Sequence, residues 1–201
     1  MKYVWVPVLL VSVVGCASSP TSAAPAGVRS SVSPAPIANV HARVPAQVGE
    51  FKLTERAAVG GAPADSLYRF RDSSRTNLTV FIYEIAADVR VEADSQQWTA
   101  REGGKFKEIQ DIRVARGQIA EYVLAFSDTT RIAVGEHNIL EHRMATPVRF
   151  PSGAVAVDMQ FLYLVGGKFI KVRATIPEQG WEQTRVPSFA RELALRLARG
   201  T

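Results

Sequence analysis

Between Ala154 and Pro177 the chain reads AVAVDMQFLYLVGGKFIKVRATIP, two runs rich in β-branched and aromatic residues around a pair of glycines. Two glycines tolerate positive φ at both central positions of a two-residue loop, so the pattern predicts a β-hairpin turning at Gly166-Gly167. Counting outward sets the register: Tyr163 faces Ile170, Phe161 faces Val172, Met159 faces Ala174 and Val157 faces Ile176. All of these are apolar and share one side. The other side pairs Leu162 with Lys171, Gln160 with Arg173 and Asp158 with Thr175. One face belongs to a core and the other is mixed. Pro151-Ser152-Gly153 supplies a turn, so EHRMATPVRF (141–150) is expected to pair back as the preceding strand. Pro147 lacks an N–H and is expected at an edge or a bulge.

Three earlier stretches have strand character: FKLTERA (51–57), SLYRFRD (66–72) and NLTVFIYEI (77–85). Gly60-Gly61-Ala62-Pro63 and Asp72-Ser73-Ser74 separate them, which predicts an antiparallel meander. From Glu92 to about Phe126 the period changes. Apolar residues at Trp98, Phe106, Ile109, Ile112, Ile119, Tyr122, Val123 and Phe126 suit a helix, with Gly103-Gly104 as a break and Gly117 as a candidate for a second. IAEYVLAF (119–126) fits the end of a helix or a strand equally. A closing helix starts near Pro187 and Ser188 and stops at Gly200, burying Phe189, Ala190, Leu193, Ala194 and Leu197. Arg191, Leu195 and Arg199 fall on its outer side. The fold class is α+β: an antiparallel sheet with a helical insert and a C-terminal helix packed on it.

This order of elements resembles that of PsbP-like domains in topology, without a shared motif. FIKVRATIP (169–177) resembles the ending of uncharacterised envelope lipoproteins. Both likenesses imply a fold and neither implies an activity.

The start of the chain changes the picture. Lys2 precedes an almost wholly apolar run, Val4 to Val14, in the layout of a secretory signal peptide. That run is short of the roughly 20 residues a permanent membrane-spanning helix needs. Val13-Val14-Gly15-Cys16 resembles the lipobox of bacterial lipoproteins, and Cys16 is the single cysteine among 201 residues. The resemblance implies cleavage before Cys16 and acylation of its thiol and of the new N-terminus, several chains holding a membrane stably where one does not. The plainer reading of a lone cysteine is an inert buried thiol, but a residue at the end of a signal peptide has no core to enter. Ala17, where Asp favours inner-membrane retention in enterobacterial lipoproteins, implies delivery to the outer membrane, on its periplasmic side. Residues 16–46, rich in Ala, Ser and Pro, then form a disordered tether. Residues 47–201 form one α+β domain without disulfides.

Charge adds little. Lys and Arg exceed Asp and Glu by 24 to 19, giving +5, and losing residues 1–15 removes Lys2 alone, leaving +4. In an envelope the anionic partners are lipopolysaccharide, anionic lipid and peptidoglycan rather than nucleic acid, and a mildly basic surface is also simply soluble.

Candidate chemistry is sparse. GEHNILEHR brings Glu136, His137, Glu141 and His142 close in sequence, a set able to bind metal or support acid–base work. The two histidines are five apart, which puts them on opposite faces of a strand and lacks the i, i+4 spacing of HExxH, so solvated surface charge is the simpler reading. Asp158 resembles a general base, but a cross-strand ion pair with Arg173 accounts for it. No catalytic residue and no cofactor is assigned. Trp98 and Trp181 are candidates for the rim of a ligand groove, and Leu164 with Phe169 for an apolar patch at the hairpin tip, unless a helix covers it. Two functions of different class follow. One is a membrane-anchored envelope lipoprotein that binds or assembles another envelope protein or polyanionic component without catalysis. The other is a small periplasmic hydrolase or metal-dependent enzyme using His137 and His142.

Overall fold

The structure is a computed structural model that describes residues 40–58, 66–84, 95–134, 137–165, 168–181 and 184–199. All of these fall in one unit of the chain, Pro34–Thr201. Strands are β1 (Gln47–Val48), β2 (Phe51–Ala58), β3 (Ser66–Arg71), β4 (Asn77–Glu84), β5 (Glu121–Tyr122), β6 (Phe126–Val134), β7 (His137–Arg149), β8 (Val155–Val165) and β9 (Lys168–Pro177). Helices are α1 (Ser95–Ala115) and α2 (Val186–Arg199), with 3-10 turns at Val40–Arg43 and Glu178–Gly180. The strands form one antiparallel sheet in the order β1-β2-β3-β4-β9-β8-β7-β5, with β6 also paired to β7.

The β8–β9 register is the one that counting outward from the glycines predicts, from Val165 opposite Lys168 through Tyr163–Ile170 and Met159–Ala174 to Val157–Ile176. Gly166 and Gly167 themselves, and Gly60 to Pro63, lie outside the described residues. The first three predicted strands are β2, β3 and β4. β4 pairs with β9, so the N-terminal meander joins the C-terminal hairpin directly.

One face carries the apolar set of β8 and β9 together with Phe70, Leu78, Val80 and Ile82, and α2 closes it with Val186, Phe189, Ala190, Leu193, Ala194 and Leu197. Phe189 stands edge-on between Phe51 and Phe70, at 5.0 Å from each ring centre. Leu195, expected on the outer side of α2, is half-buried and packs against this core.

The other face is covered by α1, which runs through Gly103 and Gly104 without a break, contrary to the sequence expectation. Gly costs about 1 kcal/mol relative to Ala within a helix, and contacts with the sheet exceed that. Trp98, Glu102, Phe106 and Gln110, spaced four apart, form the buried line. The helix ends at Gly117, which takes φ +64°. The Gly117 N–H donates to Val114 O at 2.9 Å and the Gln118 N–H to Arg113 O at 2.9 Å, a Schellman closure. IAEYVLAF then divides: Ile119 is buried, Glu121-Tyr122 pair with β7, and Phe126 opens β6.

Pro147 meets the expectation of a bulge. It lies inside β7, in unshifted register with β8 and with β5 and β6 along the other side. Its carbonyl accepts from the Val123 N–H at 3.1 Å, so its missing N–H points at residues 123–125, where β5 has ended and β6 has not begun. Between the Tyr122–Val148 and Phe126–Ala145 pairs three residues, 123–125, oppose only Thr146 and Pro147, a bulge that accommodates proline's missing N–H.

Candidate functional site

Strand alternation separates the residues that the sequence places side by side. Glu141 points to the α2 face, where the Tyr163 hydroxyl donates to it at 2.7 Å, Arg191 at 3.0 Å and Thr130 at 3.3 Å. His142 points to the α1 face, with its Nδ1 2.9 Å from Thr129 Oγ1 and its Nε2 3.5 Å from Ser127 Oγ. Trp98 meets it edge-on at 6.1 Å. Burial holds the imidazole below the ordinary histidine range, keeping it neutral, although the Asp128 backbone and the Asp128 and Glu102 charges pull the other way. His137 begins the same strand, and its side chain, like Glu136 and Cys16, lies outside the described residues. Among the described residues no group of three or more His, Cys, Asp or Glu is placed to hold a metal.

The apolar candidates are mostly covered. Phe169 is buried against Trp98 at 5.5 Å and Tyr83 at 5.4 Å, and Leu164 is half-buried beside them. Trp98 therefore roofs the hairpin tip instead of rimming a groove. Trp181 alone is exposed, just beyond the 3-10 turn that follows β9.

What the sequence reading misses is the chemistry between α1 and the sheet. Glu102, 3% exposed, accepts from Lys105 Nζ and Lys171 Nζ, each at 2.8 Å. Burial raises its pKa, but the two ammonium groups more than offset this and hold the carboxyl below the usual range. Asp158 does not pair with Arg173 as expected. It forms its ion pair with Arg113 of α1, and accepts from Gln110 Nε2 at 3.0 Å and Thr175 Oγ1 at 2.6 Å. Arg173 instead lies over the Phe106 ring at 5.6 Å. Three polar atoms of this layer, Trp98 Nε1, Thr146 Oγ1 and Gln160 Nε2, are buried without a hydrogen-bond partner.

Beside that layer, between the C-terminal half of α1 and the β4, β9 and β8 strands, opens a cleft of about 730 Å³. Arg113 and Arg116 line it from the end of α1, Arg173 from β9 and Arg75 from the β3–β4 turn, with Asp158 at its base. Phe81, Ile109 and Ile112 give it an apolar wall. The Asp72 carboxylate shapes the turn by accepting from the Thr76 N–H and the Ser74 hydroxyl, both at 2.7 Å, and Arg75 takes φ +71° there. Arg113 and Arg116, three apart, were legible as one basic side of a helix end. Nothing local joins them to Arg75 and Arg173.

The fold has a counterpart among solved structures. It is similar to the solution structure of cyanobacterial PsbP (CyanoP) from Synechocystis, with a TM-score of 0.50 and 18% identity over 73% of this chain and 82% of that one. The PsbP-like likeness read from the order of elements is thus found in the fold itself. No known family and no curated protein matches the sequence.

Proposed function

We propose that this protein is an envelope lipoprotein, anchored through lipid on Cys16 to the periplasmic side of the outer membrane, whose domain acts as a non-catalytic binding or assembly module. The observation that carries the reading is the state of the buried charged groups on the two faces of the sheet. The buried carboxylates Glu102, Glu141 and Asp158 are each held by a cation and by at least one further donor. Carboxylates so tied are spent on holding the fold, whereas Arg75, Arg116 and Arg173 face an open cleft without a carboxylate of their own. Such a surface recognises an anionic partner more readily than it moves protons. No helix among the described residues is long and apolar enough to cross a membrane.

The test is membrane fractionation with affinity capture from crosslinked envelopes, comparing the natural chain with Cys16→Ser. The expected result is loss of membrane retention in the variant, and a partner recovered with the natural chain only. Retention of Cys16→Ser through carbonate washing would remove the anchor from this reading. Stoichiometric metal in the purified protein, lost when His137 and His142 are both replaced by Ala, would replace it with the metal-enzyme alternative.

A further inference from the structure

We propose that the cleft beside α1 is a binding site for a phosphate group carried on a larger organic molecule, gripped by Arg75, Arg116 and Arg173. This deepens the binding-module reading and rests on it. Four guanidinium groups line the cleft against one carboxylate, and that carboxylate, Asp158, is already neutralised by Arg113 and capped by Gln110 and Thr175. The side chains of Arg75, Arg116 and Arg173 make no hydrogen bond or ion pair among the described residues. Arg173 is the most telling of them. It is half-buried over Phe106 and feels Asp158 only at a distance, so its charge is partly desolvated without a matching anion. A planar guanidinium donates two parallel hydrogen bonds to a phosphate, and several converging on one site favour a multiply charged oxyanion over a single carboxylate, which one arginine satisfies.

The rest of the cleft describes what carries the phosphate. At about 730 Å³ it far exceeds a bare oxyanion, and Phe81, Ile109 and Ile112 offer apolar surface beside the arginines. Ile112 is a large hydrophobic residue left 42% exposed on α1. An anion joined to an organic body satisfies both walls. A lipid headgroup and a soluble phosphorylated molecule both have this chemistry, and the experiment distinguishes them.

The full-length protein in neutral detergent is titrated in two arms and followed by phosphorus NMR. One arm uses inorganic pyrophosphate and the other phosphatidic acid in the micelle, with phosphatidylcholine as its blank. Saturable one-site binding is expected in at least one arm. Each of Arg75→Gln, Arg116→Gln and Arg173→Gln should weaken it about tenfold, the worth of one charged hydrogen-bond donor. Arg131→Gln, an exposed arginine on edge strand β6 and not among the residues lining the cleft, should not. Binding of pyrophosphate assigns a soluble ligand, and binding of phosphatidic acid alone assigns a headgroup. Arg75 and Arg116 are exposed, so the test survives any effect of Arg173→Gln on folding. No binding in either arm, or binding undiminished in the Arg75→Gln/Arg116→Gln double variant, overturns the proposal. If a protein partner is still captured from crosslinked envelopes, the binding-module reading stands without it.

Discussion

Lys171 of β9 and Glu102 of α1 meet at 2.8 Å, tying the sheet to the helix that covers its polar face. Lys105, one turn further along α1, approaches the other carboxylate oxygen at 2.8 Å. Glu102 is almost completely enclosed, whereas the Lys105 side chain is 47% exposed. Removing the carboxylate strands Lys171 in a site from which burial already pushes its pKa down, and from which only Glu102 holds it up. Glu102→Gln should therefore cost on the order of 2 kcal/mol, less than the loss of a fully buried pair because Lys105 stays hydrated. Lys171→Met in the same background should recover part of that loss. Urea unfolding of the two single variants and the double variant measures both terms, and strictly additive losses would show that the pair is not coupled.

That interaction also marks the limit of what the sequence discloses. The β8–β9 hairpin is legible because one alternating set of eight residues is wholly apolar and two glycines fix where counting begins. The stripe of α2 is legible for the same reason, a single apolar side of a short helix. The buried line of α1 alternates Trp98 and Phe106 with Glu102 and Gln110, so apolar spacing discloses a helix but not that two polar residues are buried with it. Its polar members are satisfied by Lys171 and Asp158, partners about 50 to 70 positions away, and such complementarity has no local signature. The cleft is hidden for a similar reason. Its arginines come from a turn, a helix end and a strand, and only the sheet order that sets β4 beside β9 brings them together.

Two groups under α1 contribute to the pH dependence of stability in separate windows. Burial holds His142 below its ordinary value of 6.5, so the folded protein binds that proton less readily than the unfolded chain. The contribution is complete above pH 6.5 and is lost as pH falls from there toward the folded value. Glu102 lies below its ordinary 4.5, so its contribution is present above pH 4.5 and disappears as pH falls through the lower folded value. Stability should fall in two stages on the acid side. In His142→Gln the drop between pH 7.5 and 5.5 should shrink while the lower stage remains. An unchanged drop in that variant would assign the first stage to another group.

Gly103 and Gly104 offer a change in the opposite direction. A Cβ at Gly104 would meet no atom within 4 Å, and at Gly103 only Met144 Sδ at 3.9 Å, an ordinary contact. Neither glycine has positive φ, so alanine adopts the same backbone. Gly104→Ala should stabilise the protein by about 0.5–1 kcal/mol, mainly by restricting the unfolded chain. Thermal unfolding reads the change. A lower midpoint would mean that α1 needs its glycines to bend or move.

Two buried hydroxyls, one on each face of the sheet, should respond with opposite signs. Tyr163 Oη donates to Glu141, whose burial makes every donor count, and the surrounding low-dielectric core and the carboxylate together push the phenol far above its usual pKa. Tyr163→Phe keeps the ring and its packing but leaves Glu141 with Arg191 and Thr130 alone, so it should cost about 1–2 kcal/mol. Thr146 is 1% exposed on the α1 face, and its Oγ1 has no partner. Thr146→Val replaces that hydroxyl with a methyl group of nearly the same shape and removes an uncompensated desolvation cost. It should be neutral or stabilising by up to about 1 kcal/mol. Both follow from one rule, that a buried polar atom is worth what its partner makes it worth. Denaturant unfolding of both variants under one set of conditions decides the matter. Equal losses would mean that Thr146 has a partner in solution, and would place bound water in the layer beneath α1.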